Sequence, residues 1–271
     1  MRPFFENNVL QQQPFKPMII VVDTTKAGSA SNTFVLPIIK ATSETVKIYW
    51  DDGTNSVGAN GDNTHVYVAS GIYTVKIESR LFGGIYFNNL GDKAKITKIA
   101  NYGQGVSRLN IGSFFGCSSL LSIAIGNIVS NGADATNQYR GCTALTTVPL
   151  LNLSSVTNAY AMFAYCAALT TVPLFNLSNC TSTRSMFFEC TSLTTIPLLD
   201  LSSVTDATNM FTGVTLTTQS YSDFLINLAT LPLQSGVSFH GGNSKYNPTA
   251  AIARAYLISN FGWTITDGGA A

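Results

Sequence analysis

Apolar and polar residues alternate from Thr45 to Trp50, with Val46, Ile48 and Trp50 on one side and Thr45, Lys47 and Tyr49 on the other. A period of two predicts a half-buried strand. The apolar run Met18 to Val22, closed by Asp23, predicts another, and so does Thr33 to Ile39, with Pro37 near its edge. Asp51-Asp52-Gly53-Thr54 turns the chain, because Gly accepts a positive φ and Asp bonds nearby backbone amides. A loop rich in Gly and Asn follows. His65 to Tyr67 and Ile72 to Ile77 are further strands, separated by Ser70-Gly71, and Ile85–Phe87 and Ile96–Ile99 complete the unit. Many short strands joined by Gly-rich turns point to a small β-sandwich.

The segments WDDGT, HVYVASG and IYTVKIES resemble the PKD-like immunoglobulin sandwich. Trp50, Asp52, Gly53 and Thr54 match its first motif, and His65, Tyr67, Gly71, Tyr73 and Val75 its second. Asp51 stands where that family has Gly, so a slightly different turn is expected there. The resemblance implies structural roles, with Trp50 in the core and Asp-Gly-Thr closing a turn, and a spacer or adhesion module.

A longer period governs the next hundred residues. Cys117, Cys142, Cys166 and Cys190 follow one another at steps of 25, 24 and 24, and one more step reaches Val214. Three residues before each stands an aromatic: Phe114, Tyr139, Phe163, Phe187 and Phe211. Leu120, Leu145, Leu169 and Leu193 keep the same register, as do Val148, Val172 and Ile196, each of these three followed by Pro-Leu. Asn152, Asn176 and Asp200 form a further column, and Val156, Cys180 and Val204 another. Such a period exceeds a helical heptad and falls in the range of leucine-rich repeats. One copy cannot bury its apolar face, whereas stacked copies turn each column into a ladder. The cysteines then act as small buried apolar residues. Cys180, in a column of Val, supports that role.

Met162 to Pro173 and Met186 to Pro197 resemble the BspA-like, or DUF285-type, leucine-rich repeat. The first copy departs, with Ile123-Ala124-Ile125 where Val-Pro-Leu would stand. This family occurs in bacterial surface proteins, some protist proteins and bacteriophage proteins. The resemblance implies an adhesive or structural role and carries no catalytic residues over.

After about residue 215 the pattern becomes helical. Ser220 is read as a cap, with Asp223 three residues on, and Phe224, Leu225, Leu228 and Leu231 form one apolar face. A second helix starts after Asn247 with Pro248 at its first position, carries Ile252, Ala255 and Tyr256, and ends near Asn260. Val237–Phe239 and Trp263–Ile265 are short strands able to pair. The segment NFGWTITDGG resembles the tails of phage-borne proteins with these repeats. The expected fold is therefore mainly β: an extended N-terminal arm over 1–17, a PKD/Ig-like sandwich over 18–107, a short-repeat leucine-rich solenoid over 108–215, and a small α/β cap, largely helical, over 216–271.

Composition narrows the chemistry. Lys plus Arg is 15 and Asp plus Glu 14, a net charge of +1, and only 11% of residues are charged, against about 25% in an average chain. A strongly basic nucleic-acid binder and an acidic tail protein are excluded. The 16 Phe and 11 Tyr supply ample material for a core. The five cysteines include no C-x-x-C pair, and His65 and His240 lie far from them in sequence, which disfavours zinc; the odd count disfavours a disulfide framework. Asp51, Asp52, Asn55, Asn60 and Asp62 offer oxygen ligands of the calcium type, but their spacing fits no EF-hand loop, and a turn network is the preferred reading. No nucleophile elbow, H-E-x-x-H or P-loop is present, and Gly241 to Lys245 lacks the P-loop context. No cofactor and no enzymatic activity are expected.

The opening residues are polar and lack a continuous apolar stretch, so neither a secretory leader nor a membrane span is expected. Phe4, Phe5 and Phe15 in that segment belong either to a frayed terminus or to an arm that docks on a neighbouring subunit. The sequence reading is a non-enzymatic structural or display protein of a bacteriophage virion, as a capsid or tail decoration or fibre module. It meets other virion proteins through its N-terminal region, with host-surface glycans or proteins as further partners and a homo-oligomer left open. The alternative is an adhesin on the bacterial cell surface.

Overall fold

The structure is a computed structural model that describes residues 16–40, 45–79, 82–103, 112–124 and 134–271. Phe4, Phe5 and Phe15 lie outside the described residues. The fold is mixed α/β with several β-sheets.

Strands β1 (Met18–Asp23), β2 (Thr33–Lys40), β3 (Val46–Tyr49), β4 (Asn55–Gly58), β5 (Gly61–Val66), β6 (Ile72–Glu78), β7 (Phe82–Ile85) and β8 (Ile96–Tyr102) come first in the chain. A six-stranded sheet has the order β4-β3-β6-β1-β8-β9, where β9 is Ser122–Ile123; a second has the order β5-β2-β7. The alternation that predicts β3 is the one that buries it, with Val46, Ile48 and Trp50 inside. The loop expected after the Asp-Gly turn contains β4 and most of β5. Both are largely exposed, and Asn-Ser-Val-Gly gives β4 too little apolar contrast for its period to be read.

Strand β9 explains the irregular first repeat. Ser122–Ile123 pairs in parallel with Lys98–Ile99, so this copy extends the first sheet where the later copies meet one another. One apolar cluster accordingly runs from Met18 to Trp263 without interruption. At the junction the Tyr102 and Tyr139 hydroxyls are buried and hydrogen-bonded to each other.

In the repeat region each copy bonds to the next along its backbone. The amides of Asn137, Tyr139 and Gly141 donate to the carbonyls of Tyr160, Met162 and Ala164, and those of Ala161, Phe163 and Tyr165 to Arg184, Met186 and Phe188. Isolated parallel bridges link Asp134 to Asn158, Asn158 to Ser182 and Ser182 to Asp206. Two columns beyond those singled out in the sequence are also buried: Leu151, Phe175 and Leu199, and Leu153, Leu177 and Leu201.

Helices α1 (Thr218–Leu228) and α2 (Pro248–Phe261) and the parallel pair β10 (Ser238–His240) and β11 (Thr264–Thr266) follow the last copy. The cap of α1 is Thr217, whose side chain accepts from the Ser220 amide. Ser220, read as the cap, instead accepts the Ile196 amide through its hydroxyl at 3.0 Å and ties the helix to the last repeat. Asn247 caps α2, with Pro248 in its first turn. The buried face of α2 is Ala250, Ala253 and Leu257, while Ile252 and Tyr256 face outward. Among the described residues no helix is long and apolar enough to cross a membrane.

Candidate functional site

The residues singled out in the sequence fall into two constellations. The first is the column set. Phe114, Tyr139, Phe163, Phe187 and Phe211 stack near-parallel in one file, with successive ring centroids 5.8, 5.6, 5.9 and 5.5 Å apart. All five are buried, together with Leu120, Leu145, Leu169 and Leu193. Phe211 ends the file, meeting Phe224 and Phe239 nearly edge-on. Aromatic pairs of this kind add about 0.5–1.5 kcal/mol each beyond the area they bury.

Cys117, Cys142, Cys166, Cys180 and Cys190 are all buried and unbridged. The Cys180 thiol donates to the Ser182 carbonyl within its own copy, and three others reach across copies. The Cys142, Cys166 and Cys190 thiols donate to the carbonyls of Phe114, Tyr139 and Phe163, each in the preceding copy. Each of those carbonyls also accepts the amide of the cysteine in its own copy. Burial pushes all five thiols up, to about 12 at Cys190 and about 11 at Cys180, which makes them poor nucleophiles. Asn152, Asn176 and Asp200 accept the amides of Ser154, Ser178 and Ser202, closing the same turn in three copies.

The second constellation is built from the end of β3, the end of β5 and the start of β6. Trp50 stacks on His65 at 4.6 Å, His65 meets Tyr67 edge-on, and Tyr67 stacks on Tyr73. His65 Nε2 lies 2.7 Å from Asp52 Oδ2, and Asp52 Oδ1 accepts both the amide and the hydroxyl of Thr54. Burial raises the Asp52 carboxyl, but the Thr54 and His65 hydrogen bonds outweigh it and bring the pKa to about 2. Gly53 takes a φ of 85° to complete the turn. Asp51, where a Gly was expected, adopts the left-handed conformation itself at φ 72°, and its carboxylate accepts the Thr74 amide at 2.7 Å. The Asn60 side chain accepts the Lys40 amide. Asp51, Asp52 and Asn60 are thus engaged with neighbouring backbone, and among the described residues no group of three His, Cys, Asp or Glu is gathered around a common point.

One buried polar centre escaped the sequence reading. Lys95 is fully buried, and its Nζ donates to the carbonyls of Ser29, Ala30 and Thr33 and to the Ser29 hydroxyl. Asp92, 3.7 Å away, accepts the amides of Ser29 and Val35 and the Ser29 hydroxyl. The pair pins the 29–35 segment to the turn before β8. In sequence it is Asp-Lys-Ala-Lys, a pattern that ordinarily marks a solvated turn.

Residues 128–224 match the family described as "Mycoplasma protein of unknown function, DUF285", so the repeat region holds a DUF285-family domain. No curated protein and no solved structure matches the chain.

Proposed function

We propose that this chain is a non-enzymatic display protein of a bacteriophage virion, in which a BspA-like leucine-rich solenoid is carried on a PKD-like sandwich and closed by the helical unit. The observation that carries the reading is the use made of the repeating residues. The aromatic, cysteine and leucine columns that recur every copy are committed to stacking, and the Asn and Asp column to closing turns. What recurs is therefore a means of extending a surface, as in other stacked repeats, whose broad faces serve for contact.

The outward positions of the copies are mostly uncharged. Thr181 and Thr205 hydroxyls donate to the carbonyls of Thr157 and Thr181, giving the surface its own ladder of Thr. Residues 1–17 and the adjoining sandwich are the proposed attachment to other virion proteins, with the array directed at host-surface glycans or proteins. The likeness of Asn260 to Gly269 to phage-borne tails supports the virion setting.

The experiment is particle association. The full chain and a chain lacking residues 1–17 are supplied to assembling phage, and purified particles are assayed for each. Incorporation of the full chain and loss of the truncated one is the expected result. Equal loading would move the anchor away from the arm. The second reading, a bacterial cell-surface adhesin, is favoured by the description of the matching family, which names a cellular bacterium. It takes over if the full chain never associates with particles.

A further inference from the structure

Two positions in every copy take the left-handed backbone conformation, and one of these columns reads Gly116, Gly141, Tyr165, Glu189 and Gly213, with φ values of 80°, 72°, 62°, 57° and 81°. The stacked geometry demands this conformation whatever the side chain. Glycine meets the demand without strain, and a bulky aromatic there is an outlier. Tyr165 and Glu189 hold this conformation without being glycine, and retained strain of this kind points to side chains kept for something other than the fold.

Tyr165 is half-exposed, and what surrounds it is unlike the rest of the array. The Arg140 guanidinium lies between two rings, 5.2 Å from the centroid of Phe115 and 5.2 Å from that of Tyr165. Phe188 meets Tyr165 edge-on at 5.3 Å. These four side chains come from four successive copies and form one outward file on a surface otherwise dominated by Ser, Thr and Asn. Beside the file is a recess of about 150 Å³, where Ala161 and Ala164 stand in the columns that elsewhere hold Asn137, Arg140 and Phe188. Ala164 in particular is far smaller than the Phe115, Arg140 and Phe188 of its own column.

Arg140 donates to Asn137 Oδ1 at 3.4 Å and forms no ion pair among the described residues. The Glu189 carboxylate lies over Gly213, in the opposite direction along the stack. A guanidinium held between two rings, with one long bond to Asn137, has further N–H groups to offer a planar, bidentate acceptor. The exposed part of the Tyr165 ring beside it offers an apolar surface to the C–H face of a sugar. The recess is smaller than the roughly 300 Å³ at which pockets for whole drug-sized ligands begin, so it takes a single terminal unit.

We propose that Arg140, Tyr165 and Phe188 form a binding site for a carboxylated sugar at the end of a glycan. The carboxylate pairs with Arg140 and the pyranose face lies on Tyr165. The inference rests on reading the array as a contact surface, and gives that surface a ligand class.

The full chain is titrated by calorimetry and saturation-transfer NMR with 3′-sialyllactose, digalacturonate, lactose and inorganic phosphate. At least one of the two carboxylated sugars is expected to bind about tenfold or more tightly than lactose or phosphate. Arg140→Lys, which keeps the charge and removes the planar fork, should lose most of that preference. Tyr165→Gly should lose binding while melting at or above the temperature of the unaltered chain, because glycine relieves the backbone. The proposal is overturned if lactose or phosphate matches both carboxylated sugars, if either variant retains full affinity, or if Tyr165→Gly melts lower, which would make the ring a support of the stack. Particle association is assigned by the proposed function to residues 1–17, so absence of sugar binding with intact loading would remove the site and leave the display reading standing.

Discussion

The Cys166 thiol donates to the carbonyl oxygen of Tyr139, 27 positions earlier in the chain, at 3.2 Å. The same bond joins Cys142 to Phe114 and Cys190 to Phe163, so the cysteine and aromatic columns are fastened crosswise from copy to copy. The column ends in Val214, where the donor is gone and the apolar volume remains. Thiols are weak donors, so packing outweighs the hydrogen bond. Cys166→Val should therefore cost less than about 1.5 kcal/mol, as a nearly volume-conserving change. Denaturant melts read this directly.

Phe163 sits in the middle of the aromatic file, between Tyr139 and Phe187, and also contacts the Phe175 ring. Phe163→Ala should destabilise by about 3–5 kcal/mol through the cavity it leaves. Asn152→Ala removes an exposed turn bond and should cost about 0.5–1.5 kcal/mol. Equal and negligible changes in the two urea midpoints would contradict the stacked arrangement.

Lys95 and Asp92 lie 3.7 Å apart in the interior, each held by backbone groups of the 29–35 segment. Lys95→Met should destabilise by about 3–5 kcal/mol, because the Asp92 carboxylate is left buried without its cation. Adding Asp92→Asn should recover part of the loss. Thermal melts of the single and double variants would show whether the second change helps.

Asp52 titrates near 2 in the folded chain, below its ordinary value of 3.8. A carboxyl with a depressed folded pKa favours folding when ionised, so its contribution is complete above about pH 4 and fades as the pH falls towards 2. Asp52→Asn should flatten the acid limb of the stability curve in that window and leave the neutral region nearly parallel to that of the unaltered chain. Urea midpoints between pH 2 and 6 give the comparison.

The sequence made the repeat columns legible because their period is long, fixed and filled by residues of one size. Phe163, Cys166 and Leu169 recur whichever copy is read, and their burial follows from stacking. The strands β1, β2, β3 and β6 were legible for a similar reason, each carrying apolar residues at a simple period. What escaped has no period. Lys95 is buried by contacts with residues more than sixty positions away, and no local pattern announces them. Strand β4 has a single large apolar residue, Val57, which is exposed. Ser220 satisfied the pattern of a cap, yet Thr217 won because the helix begins one residue after it and Ser220 is held by Ile196. The Arg140–Tyr165 file was legible only in part: YCAAL breaks a Gly-Cys pattern at Tyr165, but the left-handed backbone that gives the break its meaning is a property of the fold.

The measurement that bears most directly on the stacked columns is thiol accessibility. The five cysteines sample two columns across the array, and all are buried and unbridged. Incubating the native chain with a thiol reagent and counting labels by mass should give none on the timescale that labels free cysteine completely. The same count in denaturant without reductant should give five. Labelling of Cys142, Cys166 or Cys190 in the native chain, or fewer than five labels after unfolding, would contradict the account.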